Sequence, residues 1–131
     1  MKVRGIARET LEFILALSKE AHPREFAGLL SVEKGVIANV FILPGTLSSE
    51  TSAVMNIFHM PMDLRSVGSV HSHPGPSAEP SEEDLFFFSK RGDYHIIVCY
   101  PYDWNSWECY NREGKKRKLE VIDIEFDEET W

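Results

Sequence analysis

The sequence predicts an α/β fold in which a mixed, curved β-sheet lies between helices in a three-layer arrangement. Residues 6–21 carry apolar side chains at helical spacing. Short apolar runs bounded by turn residues recur from residue 26 to residue 126, which is typical of strands. A second helix is predicted where Ser81 precedes a cluster of apolar residues. Periodicity alone indicates strands plus two or three helices, and we assign the layered class because the helices flank and enter the strand-forming segments.

Length and charge limit what the chain can do. The 131 residues fit a single domain spanning residues 1–131, long enough to bury a core. Acidic residues outnumber basic ones by 21 to 14, and this balance argues against nucleic-acid binding, which depends on neutralising phosphates. No segment approaches the roughly 20 apolar residues of a membrane span. The N-terminal apolar run is interrupted by Glu9 and Glu12, so we interpret it as a helix of the domain and expect a cytoplasmic protein.

The first half of the chain predicts a helix followed by a hairpin. The helix occupies residues 6–21, and two strands follow at residues 26–32 and 36–43, joined by a turn at residues 33–35. Glu25 then stands at the entry of a central strand, where a carboxylate is unusual. From its position alone, Glu25 is better interpreted as a solvated loop residue than as a functional one.

The middle of the chain is less regular. Residues 44–52 read as a polar loop, residues 53–58 as a strand, and residues 59–66 as an apolar segment without a clear period. Met60 and Met62 lie in this last segment. They either fill gaps in the core, which flexible methionine does well, or line a groove for a substrate, and the sequence does not favour one interpretation.

The residues able to bind a metal or catalyse a reaction are concentrated in one strand-to-helix segment. Residues 67–70 form a short apolar strand that continues through His71 and His73 and ends at the proline-rich stretch that follows. Ser81 is the predicted N-cap of the next helix and Asp84 its third residue. Side chains at i and i+2 share one face of a strand, so both imidazoles can reach one ion, and Asp84 can swing back to join them.

The remaining elements complete the sheet. Residues 85–88 place four bulky apolar groups around a helix that we expect to be buried on most sides. Residues 94–100 and 107–110 predict a hairpin, residues 111–114 a turn, and residues 119–126 a final strand.

Two cysteines lie on the predicted arms of the second hairpin. A cross-strand disulfide between Cys99 and Cys109 is geometrically possible, but we expect reduced core thiols, as is usual in a cytosolic protein.

Two histidines and one aspartate form the ligand set of a catalytic zinc site, which uses three protein ligands and leaves one position to water. A lone His-x-His on a strand is a weak signal, and Ser81-x-x-Asp84 alone more often marks a capping box. Ser72 points to the opposite face and is interpreted as structural. The other histidines, His22, His59 and His95, are interpreted as surface or satisfied core residues, with His95 a candidate hydrogen-bond partner of a metal ligand.

The full pattern of His71-x-His73, Ser81 and Asp84, with Glu25 upstream, resembles the signature of the JAMM/MPN metalloproteases, specifically the short prokaryotic and archaeal type. The resemblance spans nearly the whole chain and implies a cytidine-deaminase-like fold. It implies one Zn²⁺ per chain, bound by His71, His73, Asp84 and a water. It further implies that Glu25 is the general base and that the Ser81 hydroxyl stabilises the oxyanion.

The resemblance implies a zinc isopeptidase as the leading hypothesis. Its substrates would be conjugates of a ubiquitin-like modifier, of archaeal small-modifier or sulfur-carrier type, cleaved between the C-terminal glycine and a target lysine or chain. It also implies that Met60 and Met62 border the groove for the modifier's tail. The alternative is a metal-free MPN scaffold subunit, although such members typically lack part of the ligand set. A zinc deaminase is disfavoured because its H-x-E and P-C-x-x-C motifs are missing. The sequence is compatible with a homodimer.

Overall fold

The computed structural model describes residues 2–42 and 66–125. Within these ranges the chain forms seven strands and two helices. In chain order they are β1 (Gly5–Ala7), α1 (Arg8–Ala21), β2 (Ala27–Glu33), β3 (Val36–Ile42), β4 (Gly68–His73), α2 (Glu82–Phe88), β5 (Tyr94–Cys99), β6 (Trp107–Tyr110) and β7 (Val121–Ile122).

All seven strands belong to one mixed sheet with the order β6-β5-β4-β2-β3-β1-β7. Antiparallel pairs join β2 to β3, β2 to β4, and β5 to β6. Parallel pairs join β4 to β5, β1 to β3, and β1 to β7. Strand β4 therefore lies inside the sheet with a partner on each side. The predicted hairpins β2–β3 and β5–β6 are confirmed.

The two helices cover opposite faces of this sheet, which confirms the three-layer prediction. Neighbouring residues of one strand belong to different core clusters: Leu30 packs in the cluster that contains α1, whereas Leu29 packs in the cluster that contains Phe87 and Phe88 of α2. Strands covered on both faces read as continuous apolar runs instead of alternating ones. This double coverage explains why periodicity identified the strands but not the side each residue faces.

Helix α1 begins later than predicted. Residues 5–7 form β1, and Ile6 pairs with Ile37 of β3 and with Val121 of β7. The Ile6 amide also donates to the carbonyl oxygen of Glu120 at 2.8 Å. These partners are remote in sequence, so the apolar spacing of the N-terminus could not distinguish a strand from a first helical turn. The last strand is also shorter than predicted, because among the described residues 119–125 only Val121 and Ile122 pair with β1.

The prediction that α2 is buried on most sides is wrong. Phe87 and Phe88 are buried, whereas Leu85 is 40% exposed and Phe86 is 58% exposed. A seven-residue helix lying on a sheet turns only one side toward it, because successive residues are rotated by about 100°. The sheet therefore covers two of these four apolar side chains.

Cys99 and Cys109 are both free and buried. In the β5–β6 register Cys109 lies opposite Ile96, not opposite Cys99. Residues 96 and 99 are an odd number of positions apart on one strand, so the two thiols lie on opposite faces of the sheet. This placement overturns the cross-strand disulfide and agrees with the expected reduced thiols.

His95 is a satisfied core residue. Its Nδ1 atom lies 2.8 Å from Ser69 Oγ, and its Nε2 atom lies 3.0 Å from the carbonyl oxygen of Gly92. The ring stacks on Phe88 with a centroid distance of 4.3 Å. These partners are not metal ligands, so His95 does not orient the cluster through a hydrogen bond. Burial lowers the pKa of His95 to about 4.

This depressed pKa predicts a loss of stability in acid. Between pH 6.5 and about 4 the unfolded chain binds a proton at His95 that the folded chain does not, so stability falls as the pH falls through this window. At about 1.4 kcal/mol per pKa unit, the loss is about 3 kcal/mol. Urea unfolding with chelator present should show this slope in the parent protein and lack it in His95→Gln. Equal slopes would contradict the prediction.

Several predicted features fall outside the described residues. They are the polar loop at residues 44–52, the strand at residues 53–58, His59, Met60 and Met62. Within the described ranges, neither helix has the length and apolar character needed to cross a membrane.

Candidate metal centre

Strand β4 presents both predicted histidines on one face. His71 lies opposite Ala27 of β2 and opposite Ile97 of β5, and both neighbours belong to the core cluster on the α2 side. His73 is two residues further along β4 and shares this face. Ser72 faces the other way, and its hydroxyl accepts a hydrogen bond from the Phe26 amide at 3.1 Å. The structural role predicted for Ser72 is confirmed.

Helix α2 begins with a complete capping box, which places Asp84. The Ser81 hydroxyl accepts from the Asp84 amide at 3.1 Å, and Oδ2 of Asp84 accepts from the Ser81 amide at 2.8 Å. These reciprocal bonds satisfy two backbone donors of the first helical turn. They also hold the Asp84 carboxylate, which is only 1% exposed, against the face that carries the histidines.

The structure brings His71, His73 and Asp84 into one cluster, with one ligand atom from each within 4.8 Å of the others. His71 Nε2 lies 3.1 Å from His73 Nε2 and 3.0 Å from Asp84 Oδ1. His73 Nε2 lies 3.4 Å from Asp84 Oδ2. A tetrahedron with metal–ligand distances of about 2.0–2.1 Å has ligand atoms about 3.3 Å apart. The two imidazole nitrogens, and the Asp84 oxygen nearest to each of them, are therefore close enough together to bind one Zn²⁺.

The donor set also fits a cation chemically. Nδ1 of His73 lies 3.0 Å from the carbonyl oxygen of Ser77. A neutral imidazole that donates through Nδ1 keeps a lone pair on Nε2. Nε2 of His71 lies 3.1 Å from Nε2 of His73. Lone pairs on these two nitrogens would repel each other unless a cation or a proton lay between them. Oδ1 of Asp84 is buried and accepts no hydrogen bond of suitable geometry, although His71 Nε2 is 3.0 Å away, so this oxygen is available to a metal.

Electrostatics keep Asp84 in the form that binds metal. Burial would raise the pKa of this carboxyl group, but its interactions with His71 and His73 and the amide of Ser81 together hold the pKa well below its usual range. The group is ionised at neutral pH.

Glu25 lies in the connection between α1 and β2, two residues before Ala27, which is paired with His71. The next residue, Phe26, accepts at its carbonyl oxygen from the Ser72 amide at 3.1 Å, so this connection runs beside the end of β4. Phe26 packs on the α1 side, whereas Ala27, the first residue of β2, belongs to the cluster on the α2 side, and Glu25 is half-buried beside them. Its Oε1 atom is buried. This setting differs from the solvated loop residue that its position suggests.

Tyr102 contacts the cluster, although no pattern in the sequence indicates a role for it. Its hydroxyl donates to the carbonyl oxygen of His73 at 2.8 Å and lies 3.1 Å from Nδ1 of His22. Nothing local in the sequence marks this residue, because the bond to His73 spans 29 positions.

Comparison with known proteins identifies the family. The family model that describes prokaryotic homologues of the JAB domain matches residues 7–110, which is most of the chain. The chain belongs to this family. A probable metalloprotease of Haloferax volcanii is 38% identical to this JAB-domain chain over 137 residues, covering 97% of the chain and 84% of the relative.

Solved structures agree with this assignment. One, described as a JAMM metalloprotease-like zinc site in the proteasome and signalosome, is 45% identical with a TM-score of 0.75 and covers 93% of this chain and 100% of its own. A JAB1/MPN domain protein from Archaeoglobus fulgidus has the same identity and coverage with a TM-score of 0.74. The predicted JAMM/MPN fold and the predicted family of prokaryotic JAMM metalloproteases are confirmed. The cluster of His71, His73 and Asp84 and the zinc site described for a relative together support zinc as the metal.

Proposed function

We propose that this JAB-domain protein is a zinc-dependent isopeptidase. It hydrolyses the amide bond between the C-terminal glycine of a ubiquitin-like modifier, of archaeal small-modifier or sulfur-carrier type, and a lysine of a target or chain. The observation that carries the proposal is the cluster of His71, His73 and Asp84, whose ligand atoms lie close enough together to bind one ion. One zinc ion per chain would be held by these three residues, with water as the fourth ligand.

Zinc, Glu25 and Ser81 each have a separate role in the proposed reaction. When bound, zinc supplies Lewis-acid chemistry and lowers the pKa of a coordinated water. Glu25 takes the proton of the attacking water and transfers it to the departing lysine amine, since a carboxylate can serve as base and then as acid. Ser81 donates its hydroxyl hydrogen to the carbonyl oxygen as negative charge develops there. N-capping uses only the acceptor side of this hydroxyl, so capping and catalysis are compatible.

Ser81→Ala separates the two roles of this residue. We expect kcat to fall by roughly 10²–10³-fold with zinc content unchanged, because an oxyanion donor is lost. The lost N-cap should also lower the free energy of unfolding by about 0.5–2 kcal/mol. Ser81→Asp keeps the cap but places negative charge where negative charge develops, so it should also lose most of its activity. Activity measured per bound zinc, below the melting transition, tests this. Full activity in Ser81→Ala would confine the residue to capping.

The test of the proposed function is incubation of the purified protein with isopeptide-linked modifier conjugates, with and without a chelator. The expected result is release of free modifier that stops when the chelator is added and returns when zinc is restored. Absence of chelator-sensitive release across several modifiers would overturn the isopeptidase.

Zinc content distinguishes the enzyme from a metal-free scaffold subunit. Protein purified without chelator should contain about one equivalent of zinc, because a preformed three-ligand site binds zinc tightly. Elemental analysis showing less than about half an equivalent would favour the scaffold.

A further inference from the structure

The loop between β5 and β6 reaches back to the metal centre through Tyr102. Tyr102 is 2% exposed although it lies in a loop. Its hydroxyl bonds to two groups that belong to different parts of the fold. One is the backbone carbonyl of His73, at the end of β4, and the other is the ring of His22, just after α1. Because the hydroxyl donates to the carbonyl, its oxygen accepts from Nδ1 of His22.

The loop holds Tyr102 in an uncommon conformation. Its φ angle is 63°, a left-handed value that is rare for a bulky residue and persists only where surrounding contacts enforce it. The contacts are present. The Tyr102 amide donates to the carbonyl oxygen of Cys99 at 2.8 Å, and the Tyr100 amide donates to Gly75 at 3.0 Å. Ser106 and Asp103 close the far side of the loop with a hydrogen bond of 2.7 Å.

The two partners of the hydroxyl flank the proposed reaction. His73 is a ligand of the cluster, and His22 is three residues before Glu25 in a short connection.

We propose that Tyr102 is a positioning residue of the metal centre. Its hydroxyl ties the His73 end of β4 to the His22–Glu25 connection and so fixes the metal ligand and the general base relative to each other. The inference rests on the proposed zinc site but not on the identity of the substrate. Groups that orient metal ligands are worth about 10–100-fold in metal affinity or activity.

Tyr110 offers a matched control. It is also 2% exposed, and its hydroxyl also donates to a backbone carbonyl, that of Ala78, at 2.6 Å. Tyr110→Phe and Tyr102→Phe therefore remove the same chemical group from similar burial, but only Tyr102 bonds to a metal ligand.

The experiment titrates metal-free protein with Co²⁺, which reports its coordination by visible absorption. Tyr102→Phe should bind Co²⁺ about tenfold more weakly than the parent and show a changed spectrum, while Tyr110→Phe stays within about twofold. Matching affinities and spectra for the two variants would overturn the positioning role. If the parent protein itself bound no Co²⁺, the zinc site would fail, and the proposed function with it.

A second variant covers the case in which Tyr102→Phe does not fold. His22 is exposed, so His22→Phe should fold, keep the ring contacts with Tyr100 and Tyr102 and lose the bond to the hydroxyl. We expect kcat to fall by about tenfold with KM and Co²⁺ affinity retained. Only the hydrogen bond between Tyr102 and the His22–Glu25 connection is lost, and the bond to the carbonyl of His73 remains. Unchanged kcat would overturn the link between Tyr102 and the Glu25 connection.

Discussion

Glu25→Gln should keep its zinc and lose about 10²–10⁴-fold in kcat, the usual contribution of a general base. Glutamine preserves the size and hydrogen-bonding capacity of the side chain but cannot accept a proton from water. The three ligands of the cluster are untouched, so the zinc content should equal that of the parent. Elemental analysis and turnover of a modifier conjugate, measured on the same preparation, test both halves of this expectation.

Glu20→Gln is the matched control for this change. Glu20 is an exposed residue near the end of α1, five positions before Glu25, so the control removes one carboxylate from the same part of the chain without approaching the cluster. It should retain parental activity. Activity of Glu25→Gln within about threefold of Glu20→Gln would show that another group takes the proton, whereas loss of zinc would show that Glu25 acts on the metal site itself.

The cluster was predictable because local rules set each of its members. The period of two in a strand puts His71 and His73 on one face, and a capping box fixes Asp84 at the start of α2. Both rules act over three residues or fewer. The sequence also contains the proline-rich turn that brings the helix back to the strand, so the meeting of these groups required no knowledge of the distant sheet.

Features that depend on remote partners were not predictable in this way. Strand β1 exists because Ile6 finds β3 and β7 beside it, and the same residues could equally begin a helix. Cys99 and Cys109 lie on opposite faces of the sheet because of the register between β5 and β6. The sequence does not fix this register, because it does not define the conformation of the connecting loop. The contact of Tyr102 with His73 requires the fold of a loop stabilised by hydrogen bonds to its neighbours.

The exposure of Leu85 and Phe86 shows a different limit of predicting burial from the sequence. Four consecutive apolar residues indicate burial only if the helix has neighbours on every side. Helix α2 rests on the sheet with one face, and that face must also carry Asp84 to the cluster. Orientation of α2 is thus set jointly by the burial of Phe87 and Phe88 and by the capping box.

Asp84→Asn should abolish zinc binding and activity while leaving the fold intact. The amide oxygen of asparagine can still accept from the Ser81 amide, so the helix start is retained. The negative charge is lost, and with it the anionic ligand of the cluster. Because changes to groups that only support ligands cost 10–100-fold in affinity, loss of the ligand charge should cost more than about 100-fold.

Thermal unfolding distinguishes this loss of a ligand from a defect of the helix. A ligand that binds only the folded state raises its stability by mass action, so added zinc should raise the melting temperature of the metal-free parent and leave that of Asp84→Asn unchanged. Glu82→Gln is the control, since Glu82 is an exposed carboxylate in the same first turn and its loss removes the same charge from the helix N-terminus. Glu82→Gln should respond to zinc like the parent. A zinc-induced rise in Asp84→Asn equal to that of Glu82→Gln would exclude Asp84 from the metal site and leave two histidines, too few for the proposed chemistry.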